Sequence, residues 1–287
     1  MTLPPDARLR PPRRALPPKT VDTHAHLFDR PERYAFSGER KYSPPPCTRE
    51  AWLALHASLG VERGVQVNGS PYGYDNSITT DFMREQRGRF LGVAMIPASI
   101  GDQDLRRLDA AGFRAARVMD QFPTGATTAA MEAVAARIAP LGWHLEINIA
   151  KPDDWVELEP RLRRLPVPLV FDHMGRPRGA AGLDQPGFKV VRRLLSERDD
   201  CWTKVSSFYR LSDAGPPDYP DMRPFVQAVL NERADRCVWG TNWPHPGLTG
   251  FMPNDADLLD LLESWIPRDN MRLPLFAANA ARLYRFP

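Results

Sequence analysis

The 287-residue sequence has few cysteines and almost no net charge. Its three cysteines, Cys47, Cys201 and Cys237, are an odd number without C-x-x-C spacing, which argues against a disulfide framework and a thiolate zinc site. The 38 basic and 35 acidic side chains leave a net charge of +3, too weak a field to predict binding of nucleic acid or of an anionic membrane. We therefore expect reduced, buried cysteines and neither of those partners.

Long apolar runs are also missing. No stretch approaches the ~18 consecutive apolar residues of a membrane span, and no apolar segment follows the basic residues near the N-terminus. The sequence therefore predicts a cytoplasmic protein. It does not specify an oligomeric state, and a homodimer formed through exterior helices stays open.

Hydrophobic periodicity is lacking in one segment, residues 1–19, where six prolines and four arginines stand close together. Such a segment cannot bury an apolar face, so we expect an irregular arm over the surface. No linker divides the rest of the chain. We predict two parts: an irregular N-terminal arm at 1–19 and one domain at 20–287.

Within 20–287, short β-branched or apolar runs alternate with longer segments of helical period, which is typical of parallel strands joined by crossover helices. The predicted strands number eight, and a single (β/α)₈ barrel (α/β class, TIM barrel) fits them best. A doubly wound sheet fits less well, because no Gly-rich dinucleotide-binding loop follows the first strand. The strands are predicted at Thr20–Leu27, Arg63–Gly69, Phe90–Pro97, Phe113–Asp120, His144–Ile149, Pro168–His173, Cys201–Ser207 and Cys237–Asn242.

Polar side chains stand where several of these strands end. His24 and His26 close the first strand, and period-two alternation puts them on the same face. His173 ends the sixth strand and Asn242 the eighth. Active sites of such barrels lie at the carboxyl ends of the strands, so these residues are the first candidates. Two packed structural histidines are the alternative reading of the first strand alone.

Four separated motifs carry a resemblance to a known family: V-D-T-H-A-H at 21–26, F-D-H-M-G-R at 171–176, W-G-T-N-W-P-H-P at 239–246 and N-A-A-R-L-Y at 279–284. In this order they resemble the amidohydrolase superfamily, and within it the 2-pyrone-4,6-dicarboxylate lactonase-like group. The resemblance spans about residues 20 to 286. It implies a (β/α)₈ enzyme that acts on a carboxylated lactone.

Two departures from the family pattern concern metal binding. Members that bind metal use the first-strand histidines, further ligands on strands four to six and an aspartate on strand eight. Here the fifth strand ends in Asn148, and the strand-eight aspartate is Asn242. A neutral amide is a weak ligand, and although His24, His26 and His173 could by themselves hold zinc, we predict an enzyme without a cofactor.

The same Asn242 changes the expected mechanism. In lactonase relatives the strand-eight aspartate is the expected base that activates water, whereas an amide accepts no proton at neutral pH. A hydroxyl of the substrate itself needs no external water. This pattern resembles D-galactarolactone isomerases, which interconvert 1,5- and 1,4-lactones; His24, His26 and His173 would then polarise the carbonyl, and one would carry the proton. A lactone hydrolase with a histidine base and a catalytically silent binding barrel stay open.

A carboxylated substrate needs cationic partners, and guanidinium groups bind carboxylates in bidentate fashion. The resemblance assigns this role to Arg117, Arg176 and Arg210, although Arg117 could instead form an ion pair inside the barrel. Further candidates come from loops and strand ends: Tyr42, Ser70, Tyr72, Asn148 and His245. A small carboxylated lactone is thus the expected partner.

Overall fold

Eight parallel strands form the centre of the molecule. The computed structural model describes residues 2–86, 88–122 and 124–286. Each strand pairs with its neighbours in sequence, in the order β1 to β8, as predicted for a (β/α)₈ barrel. The strands are β1 (Val21–Ala25), β2 (Arg63–Val67), β3 (Phe90–Ala94), β4 (Phe113–Met119), β5 (His144–Asn148), β6 (Leu169–Phe171), β7 (Cys201–Val205) and β8 (Cys237–Trp239).

Helices connect the strands on the outside of the barrel. The first begins after Thr48, whose hydroxyl accepts from the Ala51 N–H, and ends at Gly60, which has a φ of 77°. Thr48 and Gly60 thus act as the predicted start and stop signals. The helices are α1 (Arg49–Leu59), α2 (Ser77–Gln86), α3 (Asp102–Ala111), α4 (Met131–Ile138), α5 (Asp154–Leu162), α6 (Pro186–Glu197), α7 (Phe208–Leu211), α8 (Arg223–Arg233), α9 (Asp255–Trp265) and α10 (Asn279–Tyr284).

The barrel closes where β1 meets β8. The Thr23 hydroxyl donates to the Trp239 carbonyl at 2.7 Å, and the Asn242 N–H donates to the His24 carbonyl at 2.7 Å. Gly240 makes this approach possible, because a Cβ at that position would lie 2.7 Å from the Cβ of His24. The end of β8 is therefore held directly against the first-strand histidines.

Apolar side chains fill two layers. Trp52, Trp143 and Trp155 are fully buried between the strands and the helices. The barrel interior has its own apolar cluster, which includes Val65 and Val238. Burial of such side chains contributes about 1.5–3 kcal/mol each, so the two layers account for a stable scaffold. The predicted buried, free state of Cys47, Cys201 and Cys237 is confirmed.

Residues 2–19 contain neither helix nor strand. Arg10 contacts Asp257 and Asp260 at the start of α9, and the Leu3 N–H donates to the Leu248 carbonyl at 2.9 Å. The segment is thus held to the barrel by ion pairs and a backbone hydrogen bond, and at its end by Leu16, which packs against the core. Among the helices of the described chain, none combines the length and apolar character that crossing a membrane requires.

Candidate active site

Left-handed backbone turns follow two of the strands and shape the mouth of the barrel. His173, two residues after β6, has a φ of 54°, and Asn242, three residues after β8, has a φ of 59°. This conformation costs side-chain-bearing residues about 1–3 kcal/mol and is common at functional sites. Both side chains consequently line a pocket at the carboxyl ends of the strands.

The pocket brings together nine of the twelve predicted site residues. Its lining contains no aspartate or glutamate among the residues that the structure describes. The remaining lining comes from Met119, Gln121, Phe122 and Pro246. The nine predicted residues are His26, Tyr42, Ser70, Arg117, Asn148, His173, Arg176, Arg210 and Asn242.

His26 is held in one tautomer. Its Nδ1 lies 2.8 Å from the Val67 carbonyl, which can only accept, so Nδ1 carries the proton and Nε2 keeps its lone pair. Burial and the nearby Arg117 lower the pKa of His26 to about 4. At neutral pH His26 is therefore an uncharged proton acceptor in the lining of the pocket.

His173 and His24 are also buried and uncharged. His173 Nδ1 lies 2.7 Å from the Ser206 hydroxyl, and burial holds the pKa of His173 well below its usual range. His24 lies outside the pocket lining, with its ring centre 4.8 Å from that of His173 and 4.9 Å from that of His26. Of the three predicted histidines, His26 and His173 thus line the pocket, whereas His24 lies against the other two.

A layer of charged side chains lies inside the barrel next to these histidines. Arg117 donates to one oxygen of Asp172 from Nε and Nη2, at 3.1 and 2.8 Å, and Lys204 lies 2.6 Å from Glu146. Burial alone would raise the pKa of Asp172, but the charges of Arg117 and Lys204 outweigh burial and hold this pKa well below its usual range. Two cations and two carboxylates thus balance in an environment where an unpaired charge would be costly.

A divalent metal ion does not fit this arrangement. His24, Asp172 and His173 have ligand-type atoms within 4.8 Å of one another. However, Lys204 Nζ lies 3.0 Å from His24 Nδ1 and 3.5 Å from Asp172 Oδ1. The other Asp172 oxygen is bound by Arg117. Lys204 thus occupies the His24 nitrogen and Arg117 the second Asp172 oxygen, and these two fixed cations would repel a third.

Arg176 and Arg210 supply positive charge to the pocket. Neither has a carboxylate within ion-pair distance in the described chain; Arg176 contacts the Gln121 amide oxygen at 3.3 Å and Arg210 the Pro246 carbonyl at 2.5 Å. Burial, Arg210 and Arg117 lower the pKa of Arg176 to about 10, which still leaves it charged at neutral pH. Half-buried cations without a counter-ion are suited to an anionic ligand.

Neutral hydrogen-bonding groups complete the lining. The Ser70 hydroxyl lies 3.4 Å from that of Tyr42, and burial raises the pKa of Tyr42 to about 12, so its phenol keeps its proton. The amide oxygen of Asn148 is buried and has no partner among the described residues. Such an acceptor is suited to a hydroxyl of a ligand.

Two of the predicted substrate contacts, Tyr72 and His245, lie outside the pocket lining. Tyr72 lies outside the pocket lining, because its hydroxyl accepts from the Asp29 N–H at 3.0 Å and its ring stacks on Phe28. His245 is fully buried between Asp255 and Tyr209. The Tyr209 hydroxyl in turn accepts from the Asn242 amide at 2.9 Å, so His245 reaches the pocket only through two other side chains.

Sequence reasoning missed Lys204, Glu146 and Tyr209. Lys204 and Glu146 carried a usable signal, since a charged residue inside a strand of a parallel barrel is buried on both faces and must have a partner. Tyr209 carried none, because it stands in the four-residue helix α7 and meets Asn242 only through the fold.

Comparisons with known proteins agree with this geometry. The chain is 36% identical to a 2-pyrone-4,6-dicarboxylate hydrolase of Comamonas testosteroni, over 94% of this chain and 91% of the relative. It is 33% identical to a 4-sulfomuconolactone hydrolase of Hydrogenophaga intermedia, over 98% and 93%. It is 29% identical to a D-galactarolactone isomerase of Agrobacterium fabrum, over 96% and 94%.

A solved structure from Agrobacterium tumefaciens, without ligand, superposes with a TM-score of 0.85 at 28% identity and covers 96% of this chain and 99% of that one. A model of the amidohydrolase family matches residues 21–286. Barrel, strand-end histidines and sequence similarity therefore agree, and the chain belongs to the amidohydrolase superfamily.

Proposed function

We propose that this protein isomerises a carboxylated sugar lactone, converting D-galactaro-1,5-lactone into D-galactaro-1,4-lactone. The observation that carries the proposal is the absence of a carboxylate from the described pocket lining, together with Asn242 on the turn after β8. The pocket offers histidine as its proton acceptor and no acidic side chain to activate water. A reaction whose nucleophile is already part of the substrate suits such a site.

Arg176 and Arg210 bind the carboxylate of the substrate in this proposal. Their charges lack a counter-ion in the described chain, and a bidentate carboxylate would supply one. Asn148 and Asn242 accept hydrogen bonds from ring hydroxyls. One N–H of the Asn242 amide already donates to Tyr209, which holds the side chain in place with its oxygen available as an acceptor.

The chemical step moves one proton and exchanges one C–O bond. The 4-hydroxyl oxygen attacks the lactone carbonyl carbon while its proton passes to Nε2 of His26. The carbonyl oxygen becomes an oxyanion that Arg117 stabilises through Nη1, because Asp172 occupies Nε and Nη2. The bond from the carbonyl carbon to the 5-oxygen then breaks, and His26 returns the proton to that oxygen.

A second candidate is hydrolysis of a lactone. The sequence relationship favours it, since the relatives at 36% and 33% identity are both hydrolases whereas the isomerase is 29% identical. In this reaction His26 would take a proton from water, which would attack the same carbonyl. The two candidates share the pocket, the carboxylate contacts and the oxyanion contact, and differ only in the nucleophile.

Oxygen labelling separates the two. The full chain is incubated with D-galactaro-1,5-lactone in H₂¹⁸O, and the products are followed by NMR and mass spectrometry, with and without chelator. The proposal expects 1,4-lactone without ¹⁸O at a rate that chelator does not change. Labelled open acid formed above the uncatalysed rate would establish the hydrolase instead, and binding without turnover would refute both.

A further inference from the structure

Lys204 is a buried lysine that takes no direct part in the proposed reaction. It lies within β7, and its side chain has no solvent exposure. Its ammonium contacts Glu146 Oε2 at 2.6 Å, His24 Nδ1 at 3.0 Å and Asp172 Oδ1 at 3.5 Å. An ammonium has three N–H donors, and three acceptors surround this one.

These three acceptors are the atom types that hold divalent metal ions in proteins. Zinc binds imidazole nitrogen and carboxylate oxygen at ~2.0–2.2 Å. Lys204 meets the Glu146 oxygen and the His24 nitrogen at hydrogen-bond distance and forms an ion pair with Asp172 Oδ1 at 3.5 Å. With Arg117 on the second oxygen of Asp172, the layer contains two positive and two negative groups and is neutral without any ion. A metal ion at this point would have to displace the ammonium.

The contact with Lys204 also fixes the tautomer of His24. Nδ1 of His24 lies 3.0 Å from the Lys204 ammonium, which can only donate, and 3.4 Å from Asp172 Oδ1, which can only accept. The shorter contact makes Nδ1 the acceptor, and the proton of the neutral ring then lies on Nε2. Burial and the charge of Lys204 hold the pKa of His24 well below its usual range. His24 Nε2 has no partner among the described residues. His24 thus presents an N–H where His26 presents a lone pair.

We propose that the Lys204 ammonium takes the place of a metal ion in this barrel and acts as a positioning residue that holds His24 as an N–H donor toward His26 and His173. The exclusion of metal is independent of the reaction. The effect on catalysis rests on the proposed lactone isomerisation.

Removal of the ammonium tests the exclusion of metal. Lys204→Ala leaves His24, Glu146 and Asp172 free to bind Zn²⁺, so we expect this variant to retain one equivalent of Zn²⁺ after dialysis and to melt at a higher temperature when Zn²⁺ is added. The matched control is Lys189→Ala, which removes an exposed lysine paired with Asp184. Wild type and control should retain no stoichiometric Zn²⁺.

Two results would overturn the proposal. One is wild-type protein that retains one equivalent of Zn²⁺ and loses it on His24→Ala. The other is a folded Lys204→Ala variant that binds no more Zn²⁺ than wild type. A Lys204→Ala chain that folds only with Zn²⁺ supports the proposal.

A charge-balanced variant covers the case in which Lys204→Ala does not fold at all. Lys204→Met combined with Glu146→Gln removes one cation and one anion and keeps the Arg117–Asp172 pair. We expect this double variant to fold. Its kcat should fall about 10- to 100-fold, the loss seen when a residue that orients a metal ligand is removed, whereas its KM should change less than about threefold. An unchanged kcat would contradict the positioning role. If wild type does not turn over the lactone, the proposed function fails. The zinc experiment would still decide whether the Lys204 ammonium takes the place of a metal ion.

Discussion

The hydroxyl of Tyr209 lies 2.7 Å from Nδ1 of His245, and Nε2 of the same imidazole lies 3.3 Å from Asp255. Burial opposes the charge on His245, but Tyr209 and Asp255 outweigh it and raise the pKa of His245 to about 9. Burial likewise opposes ionisation of Tyr209, yet His245 and Arg210 lower its pKa. Asp255, His245, Tyr209 and Asn242 thus form a buried series of polar contacts, and its imidazole is charged at neutral pH.

The raised pKa of His245 predicts a pH-dependent contribution to stability. The contribution is fully present below the ordinary pKa of 6.5 and is lost as the pH rises toward 9, because the folded protein then loses a proton that it binds more tightly than the unfolded chain. The lowered pKa of Tyr209 acts in the opposite direction, because it adds stability as the pH rises toward the ordinary tyrosine pKa of 10. Urea unfolding of wild type and His245→Asn should differ by about 3 kcal/mol more at pH 6 than at pH 9. A difference independent of pH would contradict the assignment.

Asn242→Asp should add hydrolysis to the reaction. The new carboxylate would be a base in the pocket, and general bases contribute about 10²–10⁴-fold to rates, so formation of ¹⁸O-labelled acid should rise by up to that factor. Asn148→Asp, which places the same charge elsewhere in the lining, is the matched control and should add none. Equal labelling by the two variants would show that the position of the carboxylate is irrelevant.

Arg176→Met and Arg210→Met should raise KM for a carboxylated lactone. A hydrogen bond to a charged group contributes about 1.5–3 kcal/mol, so each change should raise KM about 10- to 100-fold. D-glucono-1,5-lactone, which has no carboxylate, measures how much of the loss comes from that group, since its weak turnover or inhibition should change little. Arg178→Met, at an exposed arginine paired with Asp213, is the control. Equal losses for both lactones would argue against a carboxylate contact.

The lowered pKa of His26 predicts an acid limit of activity near pH 4. The imidazole accepts a proton only while neutral, and it stays neutral until the pH falls to about 4. The ratio kcat/KM, which reports ionisations of the free enzyme, should thus be level from about pH 5 to 8 and fall below, with the spontaneous reaction subtracted. An acid limb near the ordinary histidine pKa of 6.5 would assign proton transfer to another group.

Gly240→Ala should disturb both folding and catalysis. The added Cβ would lie 2.7 Å from the Cβ of His24 and 2.8 Å from its backbone nitrogen, so β1 and β8 would have to separate. Overpacking of this kind costs about 1–3 kcal/mol. Gly250→Ala meets no atom within 4 Å and is the control. We expect Gly240→Ala to lose unfolding free energy and to have a lower kcat at a temperature where it is still folded. Equal stability and kcat of the two alanine variants would contradict this expectation.

The barrel fold was predictable from the sequence because each strand and helix is indicated by a short, continuous segment of the chain. The eight strands are apolar runs separated by helical periods, and Thr48 and Gly60 bound α1 as their chemistry requires. The ends were less certain: β6 stops at Phe171 rather than at the predicted His173, because a left-handed residue cannot continue a strand.

The pocket lining was largely predictable, whereas the contacts behind it were not. His26 and Asn242 stand at strand ends, which a barrel brings together. Lys204 and Glu146 are 58 residues apart, and a single sequence does not reveal that they pair. Tyr72 and His245 carry plausible functional groups, but packing against Phe28 and Tyr209 turns them away from the pocket.

The left-handed backbone of Asn242 restricts what can replace it. Its N–H fastens β8 to β1, and its φ of 59° is one that asparagine and aspartate tolerate far better than most residues. The backbone thus admits with ease two side chains of nearly identical shape, one neutral and one acidic. In the proposed chemistry these two favour different nucleophiles, so a lineage with this barrel could exchange one reaction for the other by a single codon change without rebuilding its fold.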